Sequence, residues 1–301
     1  MFELLLAAVL MGGPIAAKDT LIQVREGDRL LLRDFSGSVE VEGWDRDELR
    51  AEADADEAIV FRFTRSGSTI EMEALDRKNR SRAEELRLRL PAWMDVEVSG
   101  PKLDVEISRL AGEVTVRNLR GDIFLEDLSG RVNAGSVEGS IYADGLRESA
   151  RLRTGDDEIR VVDSSADLDL ESVSGDIELE EVSGRELKVR STHGEIDFMG
   201  TLLPGGSYAF HTHSGDLTLV LDPEVDADVT VLAYEGEFEA DFPIRSRGFR
   251  SGHEFGFTIG SGGANLVLEA FDGEITLRRR DRLDREEADS HRLVPGHRIS
   301  G

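Results

Sequence analysis

Glycine returns every nine residues through the middle of the chain, and this spacing constrains the fold more than any other feature. Glycines at 112, 121, 130 and 139 open four consecutive units, GEVTVRNLR, GDIFLEDLS, GRVNAGSVE and GSIYADGLR. The pattern resumes at Ala166 and recurs as single copies at Gly215, Gly236 and Gly273, with an early copy at Gly37. A repeat this short cannot bury its own apolar side chains, so each unit must stack on neighbouring units.

Within each unit the apolar residues follow the glycine by two and by four positions. Examples are Val114 with Val116 and Ile177 with Leu179, and the residues between them are polar or charged. Alternation with a period of two predicts a short strand that buries one face and exposes the other to water.

The glycines are expected to turn the chain sharply, because glycine adopts positive φ at little cost. The serines that precede a glycine are expected to bond free backbone groups in the turn. Those serines are Ser129, Ser174, Ser183 and Ser214. A third apolar residue, Leu128, Val173 or Val182, precedes such a serine and is predicted to fill the corner.

Two units together make about eighteen to twenty-one residues, which is enough for one full turn, or rung, of a coil with two sides. The sequence therefore predicts an all-β protein that folds as a β-solenoid, a β-helix-like stack of short strands. An antiparallel β-sandwich or meander is the alternative, because nine-residue spacing with turn signals also fits hairpins.

The solenoid is predicted to form a single domain over residues 18–280, in which the less regular residues 18–100 cap the N-terminal end. Residues 1–17 resemble a signal peptide, with an apolar run from Leu4 to Met11 and a small-residue cleavage site at 15–17. Residues 281–301 are polar and are predicted to be a disordered tail. No transmembrane segment is expected in the mature chain.

A formal net charge of −26 disfavours nucleic acid as a partner, since an acidic surface repels phosphates. The absence of cysteine excludes disulfides, thiolate metal ligands and a cysteine nucleophile.

Carboxylates directly after the glycines are expected to form a row along the stack. Its members are Asp122, Asp176, Glu195, Asp216, Glu237 and Glu274. We interpret them as solvated turn residues, and Asp176, Glu195 and Asp216 are candidates for a calcium-binding row or an acid–base pair.

Three histidines form a second candidate metal site. His211 and His213 are two apart on a strand, and His193 precedes His213 by about one rung. Three imidazoles would suit zinc or copper, but no carboxylate stands at a recognised ligand spacing.

The sequence contains no nucleophile elbow, phosphate-binding loop or zinc-protease signature, so we predict no catalytic or cofactor-binding residues and no cofactor. The aromatic residues that could form a sugar-binding platform are scattered along the chain. They are Trp44, Trp93, Tyr142, Tyr208 and Tyr234.

The segment from Gly37 to Arg50, the repeated Val-Ser-Gly-Asp-Ile-Glu-Leu and the closing Phe271-Asp-Gly-Glu-Ile-Thr-Leu resemble the bacterial putative-adhesin family, whose function is unknown. The resemblance covers roughly residues 30–280 and implies a β-solenoid on an exported bacterial protein. The family carries no established catalytic residues.

These observations predict a non-catalytic, exported protein of the periplasm or cell surface that binds or scaffolds an unknown protein or glycan at the envelope. The alternatives are a β-helical polysaccharide-active enzyme and an accessory protein of envelope-stress signalling.

Overall fold

The computed structural model describes residues 19–54, 60–75, 82–243, 245–251 and 253–280. These residues form 27 β-strands and no helix, so none of them belongs to a helix that could cross a membrane. The strands make two long sheets, here called sheet A, with 14 strands, and sheet B, with 13. The predicted signal peptide (1–17) and the predicted tail (281–301) lie outside the described residues.

Seven strands precede the regular part of the stack. They are β1 (Asp19–Gln23), β2 (Arg29–Leu32), β3 (Ser36–Trp44), β4 (Glu48–Asp54), β5 (Val60–Ser66), β6 (Thr69–Leu75) and β7 (Arg82–Pro91).

Seven regular rungs follow, each with one strand in sheet A and the next in sheet B. They are β8 (Asp95–Gly100), β9 (Lys102–Ser108), β10 (Val114–Arg120), β11 (Ile123–Glu126), β12 (Val132–Glu138), β13 (Ile141–Asp144), β14 (Ser149–Thr154), β15 (Ile159–Val162), β16 (Asp167–Ser172), β17 (Ile177–Val182), β18 (Glu186–His193), β19 (Ile196–Gly200), β20 (Ser207–Ser214) and β21 (Leu217–Leu221).

Six strands complete the chain. They are β22 (Ala227–Glu235), β23 (Phe238–Ala240), β24 (Arg245–Ser251), β25 (Glu254–Ile259), β26 (Ala264–Asp272) and β27 (Ile275–Arg279).

The regular rungs stack in parallel and in register. Val114 pairs with Val132 in sheet A and Ile123 with Ile141 in sheet B, in each case eighteen residues apart. Later rungs are longer, so that Leu187 pairs with Tyr208. Parallel pairing of successive rungs confirms the predicted solenoid and excludes the antiparallel alternative.

The two end rungs do not follow chain order. The rung β2–β3 lies between β8–β9 and β6–β7, and the last rung of the chain, β26–β27, lies between β20–β21 and β22–β23. Antiparallel strands cover both ends, with β1, β4 and β5 at one and β24 and β25 at the other. The N-terminal segment therefore contains the antiparallel strands that the solenoid needs to cover its open end.

The core is a continuous apolar column between the two sheets. The residues two and four positions after each repeat start point inward, and Ile177 and Leu179 are each only 1% exposed. Alternation along each strand leaves the intervening side chains on the outer faces, as the sequence predicts.

Each rung has two different corners. At the first, here called the glycine corner, the chain passes from sheet A to sheet B through Gly121, Gly139, Gly175, Gly194, Gly215 or Gly273. Gly139 has φ of 154°, and a Cβ there would lie 2.1 Å from the carbonyl oxygen of Gly121 in the neighbouring rung. Gly121, Gly215 and Gly273 also have positive φ, so at these positions the corner requires glycine for both conformation and close stacking. At Gly175 and Gly194 close stacking alone requires it.

At the second corner, here called the leucine corner, the chain returns from sheet B to sheet A. Gly130 lies there without a positive φ, and its role is close packing, since a Cβ would lie 2.3 Å from the Gly112 oxygen. The left-handed conformation falls instead on residues that recur every eighteen positions and are mostly not glycine. They are Arg109, Asp127, Gly145, Asp163 and Glu181.

The prediction for the third apolar residue holds at the leucine corner only. Leu128 and Val182 are buried there, 1% and 0% exposed. Val173, at the glycine corner, is 51% exposed, so its predicted corner-filling role is wrong. The nine-residue period hides this difference because the two corners alternate.

The turn-stabilising side chains also differ from the prediction. Among the described residues, the serines directly before the glycines donate no side-chain hydrogen bond, whereas most members of a buried polar column three residues before the glycine corner do. Ser172 differs, since its hydroxyl accepts the Gly175 N–H at 2.9 Å. Thr212 Oγ1 donates to the Gly194 carbonyl at 3.2 Å, and Thr154 Oγ1 to that of Gly139 at 2.9 Å. The column comprises Asn118, Ser136, Thr154, Ser172, Ser191 and Thr212.

Candidate binding surface

Exposed apolar side chains gather along the glycine corner. Of seven exposed large apolar side chains among the described residues, five lie outside this corner, one position after the buried polar column or after Ala270 and Ala233, which continue the column in register. They are Leu119, Val137, Val173, Phe271 and Tyr234. With the exposed His213 they form a surface here called the apolar edge.

Strand register places equivalent positions in eight neighbouring rungs at 119, 137, 155, 173, 192, 213, 271 and 234. The six residues of the apolar edge occupy six of them, and Gly155 and Thr192 occupy the other two. At about 4.8 Å per rung the apolar edge is about 34 Å long.

Aromatic rings stack on one another at one end of the apolar edge. The His213 and Phe271 ring centroids are 4.8 Å apart with planes at 15°, and the Phe271 and Tyr234 centroids are 5.6 Å apart. Tyr234 also stacks on His253, at 5.5 Å. Since the ring faces are turned to one another, the row offers mainly ring edges to solvent.

The predicted carboxylate row, here called the acid row, lies in the turn between the apolar edge and sheet B. Asp122, Asp176, Glu195, Asp216, Glu237 and Glu274 occupy equivalent turn positions, as predicted. No member forms an ion pair with another residue in the described part of the chain.

Several members of the acid row have a structural role that the sequence does not reveal. The Glu195 N–H donates to Asp176 Oδ1 at 2.8 Å, and the Glu274 N–H donates to Asp216 Oδ1 at 2.8 Å. These aspartates link one rung to the next, so they are not only solvated turn residues. The glutamates of the row are free of this role.

The outer face of sheet B adds further carboxylates beside the acid row. Burial, opposed by Arg160 and supported by the neighbouring carboxylates of Glu180 and Glu158, raises the pKa of Glu178 to about 7. Burial and nearby carboxylates also raise the pKa of Glu106, Asp144 and Asp197. We call these four residues the acidic face.

An aromatic pair interrupts the acidic face. The rings of Phe124 and Tyr142 stack at 5.1 Å with planes at 13°. Register places Glu106 beside Phe124 and Arg160 beside Tyr142, so charged residues flank the pair. The outward-facing surface of this pair again consists mainly of ring edges.

The outer face of sheet A, by contrast, balances its own charge. Arg151 Nε lies 2.9 Å from Asp169 Oδ2, Arg190 Nη2 lies 2.9 Å from Asp169 Oδ1, and Arg153 pairs with Glu171 at 3.0 Å. A depression of about 510 Å³ on this face includes Arg151 and Asp169 in its lining. The charges of Arg151 and Asp169 in this lining are therefore already engaged.

The three candidate histidines have different neighbours. His193 and His213 approach edge to face at 6.5 Å, while His211 Nδ1 lies 3.3 Å from Glu269 Oε2 on the outer face of sheet A. Across the described residues, no three His, Cys, Asp or Glu side chains come together in a way that could hold a metal ion. The geometry thus gives His213 an aromatic partner in Phe271 and gives His211 a carboxylate.

The sequence shows the acid row directly, because each member follows a repeat glycine. It does not show the apolar edge, because Leu119, Val137 and Val173 each resemble one more inward-facing residue of their unit. No sequence signal separates them, because Leu128 and Leu146 stand at the same place in the alternate units and are buried.

Comparison with known proteins identifies one matching family. The family model described as Toastrack DUF4097 matches residues 27–278. No curated protein matches the sequence.

Two solved structures resemble the chain at low overall similarity. A "putative cell adhesion protein" from Clostridium sporogenes is 14% identical, with a TM-score of 0.23, over 89% of this chain and 100% of the other. A "putative adhesin" from Parabacteroides distasonis is 9% identical, with a TM-score of 0.31, over 86% of this chain and 96% of the other. At these scores neither structure carries an argument about this chain.

Proposed function

The chain belongs to the Toastrack DUF4097 family, and from that premise we propose that it is a non-catalytic, adhesin-like binding protein of the bacterial envelope. In this proposal the chain is exported to the periplasm or cell surface, where the outer surface of its solenoid binds or scaffolds a partner. The observation that carries the proposal is the gathering of five of seven exposed apolar side chains on one edge. Exposed apolar side chains that cluster on one part of a surface mark interaction sites.

Export is tested on the protein isolated from its own cells. We expect intact-mass analysis to show a chain that begins after residue 17, because residues 1–17 have the features of a cleaved signal. A native protein that retains Met1 would contradict export by this signal.

Binding is tested by sedimentation of the purified protein with cell envelopes isolated from the source bacterium. We expect saturable co-sedimentation, and no saturable binding would contradict the proposed function. Pretreatment of the envelopes with protease or with periodate then separates a protein partner from a glycan.

A polysaccharide-cleaving enzyme is the second candidate, and one observation favours it. A carboxyl group with a pKa of about 7, as in Glu178, is typical of a general acid. However, Arg160 binds Glu178 Oε2 at 2.8 Å and Glu180 Oε1 at 2.9 Å, which holds both carboxylates in a structural network. Release of reducing sugar from envelope polysaccharide by the wild type, and its loss in Glu178→Gln, would support the enzyme instead.

A further inference from the structure

We propose that the apolar edge and the acid row together form a docking site for an extended polypeptide segment that carries both basic and apolar side chains. This inference rests on the proposed function, since it names the partner chemistry of a binding surface. It concerns one defined strip of the molecule, along the glycine corner.

The first argument is the shape of the strip. The six residues of the apolar edge lie in line within a span of eight rungs, interrupted at Gly155 and Thr192, and the edge is about 34 Å long at about 4.8 Å per rung. An extended segment advances about 3.4 Å per residue, so about ten residues span the edge. A long, narrow and straight strip fits an extended chain better than a globular surface.

The second argument is charge. The acid row runs beside the apolar edge along the same corner, and its carboxylates form no ion pairs within the described residues. Arg120, the basic residue on this flank, is already paired with Glu138 at 2.7 Å. Oppositely charged side chains on a partner would find carboxylates whose charge no described residue neutralises, which favours a basic segment.

The charge also argues against a second copy of this chain. Two such edges brought together would join two acidic surfaces that each carry an acid row, and like charges repel. The net charge of −26 adds to that repulsion.

The third argument, the geometry of the aromatic rings, favours a polypeptide over a glycan as the partner. Sugar rings pack on exposed faces of aromatic rings, but His213 and Phe271 stack face to face and Tyr234 lies against Phe271 at a tilt of 31°. The surface that remains consists of ring edges and aliphatic groups such as those of Val137 and Val173. Apolar side chains of a peptide pack on such a surface without needing ring faces.

The experiment measures fluorescence anisotropy of a labelled peptide of four Lys-Leu-Thr repeats with the purified full chain. Two control peptides are measured beside it. Four Glu-Leu-Thr repeats lack the basic side chains, and four Lys-Ser-Thr repeats lack the apolar side chains. We expect the Lys-Leu-Thr peptide to bind at least about tenfold more tightly than either, and more weakly as salt rises.

Two sets of variants locate the site. Val173→Ser combined with Phe271→Ser should weaken binding about tenfold, because exposed apolar contacts are lost without disturbing the core. Glu195→Gln combined with Glu274→Gln should reduce the salt dependence. Phe124→Ser, an equally exposed aromatic residue on the outer face of sheet B, is the matched control and should bind like the wild type.

Equal binding by the Val173/Phe271 variant and the wild type would overturn the proposal, as would preference for chito-oligosaccharide over the peptide. Self-association of the chain that is lost in this variant would assign the edge to a second copy and would also overturn it. The variant is then tested in the envelope sedimentation. If the wild type and the variant sediment equally, the docking site is refuted while the proposed function stands; if neither binds, the proposed function fails.

Discussion

Thr212 is fully buried at the end of β20, where its hydroxyl holds the adjoining rung by donating to the Gly194 carbonyl. The same contact recurs rung after rung, with Thr154 on Gly139 and Ser136 on Gly121. A buried carbonyl at a tight corner needs such a donor because water cannot reach it.

Replacing Thr212 by Val keeps the shape of the side chain and removes the donor. We expect Thr212→Val to lower the free energy of unfolding by about 1–2 kcal/mol, because the Gly194 carbonyl loses its buried partner. Denaturant unfolding followed by circular dichroism measures this. Thr115→Val, at a half-buried position on the outer face of β10, is the control and should stay within about 0.5 kcal/mol of the wild type.

Glu178 makes stability depend on pH in a predictable direction. Its pKa of about 7 in the folded protein exceeds the ordinary value of 4.5, so between these values the folded state holds the proton more tightly than the unfolded state. The stabilising contribution is complete below about pH 4.5 and is lost as the pH rises to about 7. The ionised carboxylate is therefore unfavourable at neutral pH.

We expect Glu178→Gln to remove this loss, so that the variant gains stability over the wild type as the pH rises from 4.5 to 8. Denaturant unfolding at several pH values gives the difference, and Arg160 keeps its contact with Glu180 in the variant. Glu195→Gln, in the turn outside the acidic face, is the control for the loss of one charge. A difference from the wild type that does not change with pH would contradict the shifted pKa.

At the scale of the element, the turn that begins each sheet B strand joins neighbouring rungs through its aspartate. Asp216 lies before β21 and accepts the N–H of Glu274 before β27, which follows it in space but not in sequence. The bond therefore helps to fix the C-terminal rung to the stack.

Asp216→Ala should lower stability by about 1 kcal/mol, because it removes the acceptor for the Glu274 N–H. Asp216→Asn keeps an acceptor oxygen and should lose less. Glu195→Ala, in the same acid row, is the matched control and should be neutral. Equal thermal stability of Asp216→Ala and Glu195→Ala would show that the turn bond contributes nothing.

The sequence predicts elements well where one pattern has one structural meaning. The period-two pattern of Ile177 and Leu179 determines the buried face, and the eighteen-residue register follows from two units per rung. The pattern does not say which corner a unit makes, so Val173 resembles Val182 although the first is exposed and the second is buried. Positive φ at Asp127 and Glu181 is likewise hidden, because neither residue type requires it.

The candidate binding surface likewise has one part that the sequence predicts and one part that it does not. The acid row is visible because Asp176 and Asp216 each follow a repeat glycine. The apolar edge is visible only after the structure brings Val173, Phe271 and Tyr234 together from rungs that are distant or out of order in the chain.

At the scale of the whole molecule, the C-terminal rung is an insertion into an otherwise continuous stack. In the structure, Tyr208 pairs with Leu266, and Leu266 pairs with Val229. Val229 follows Tyr208 by the same 21-residue step that separates Tyr208 from Leu187. The strands β22 and β23 thus have the spacing of the next regular rung, but β26 and β27 occupy the place beside β20 and β21.

Deletion of residues 264–301 tests whether that spacing is sufficient for pairing. We expect the shortened chain to fold with β22 paired directly to β20, because Val229 and Val231 would face the same core column as Tyr208 and Phe210. It should be several kcal/mol less stable, since the buried side chains of one rung, including Leu266 and Leu268, are lost.

Hydrogen exchange measured by mass spectrometry should show residues 227–235 still protected, and deletion of residues 281–301 alone should leave the exchange pattern unchanged. Exchange of 227–235 at the rate of an unfolded chain, with 207–221 still protected, would show instead that the last rung is required to hold β22, and that closure of the stack waits for the C-terminus to insert.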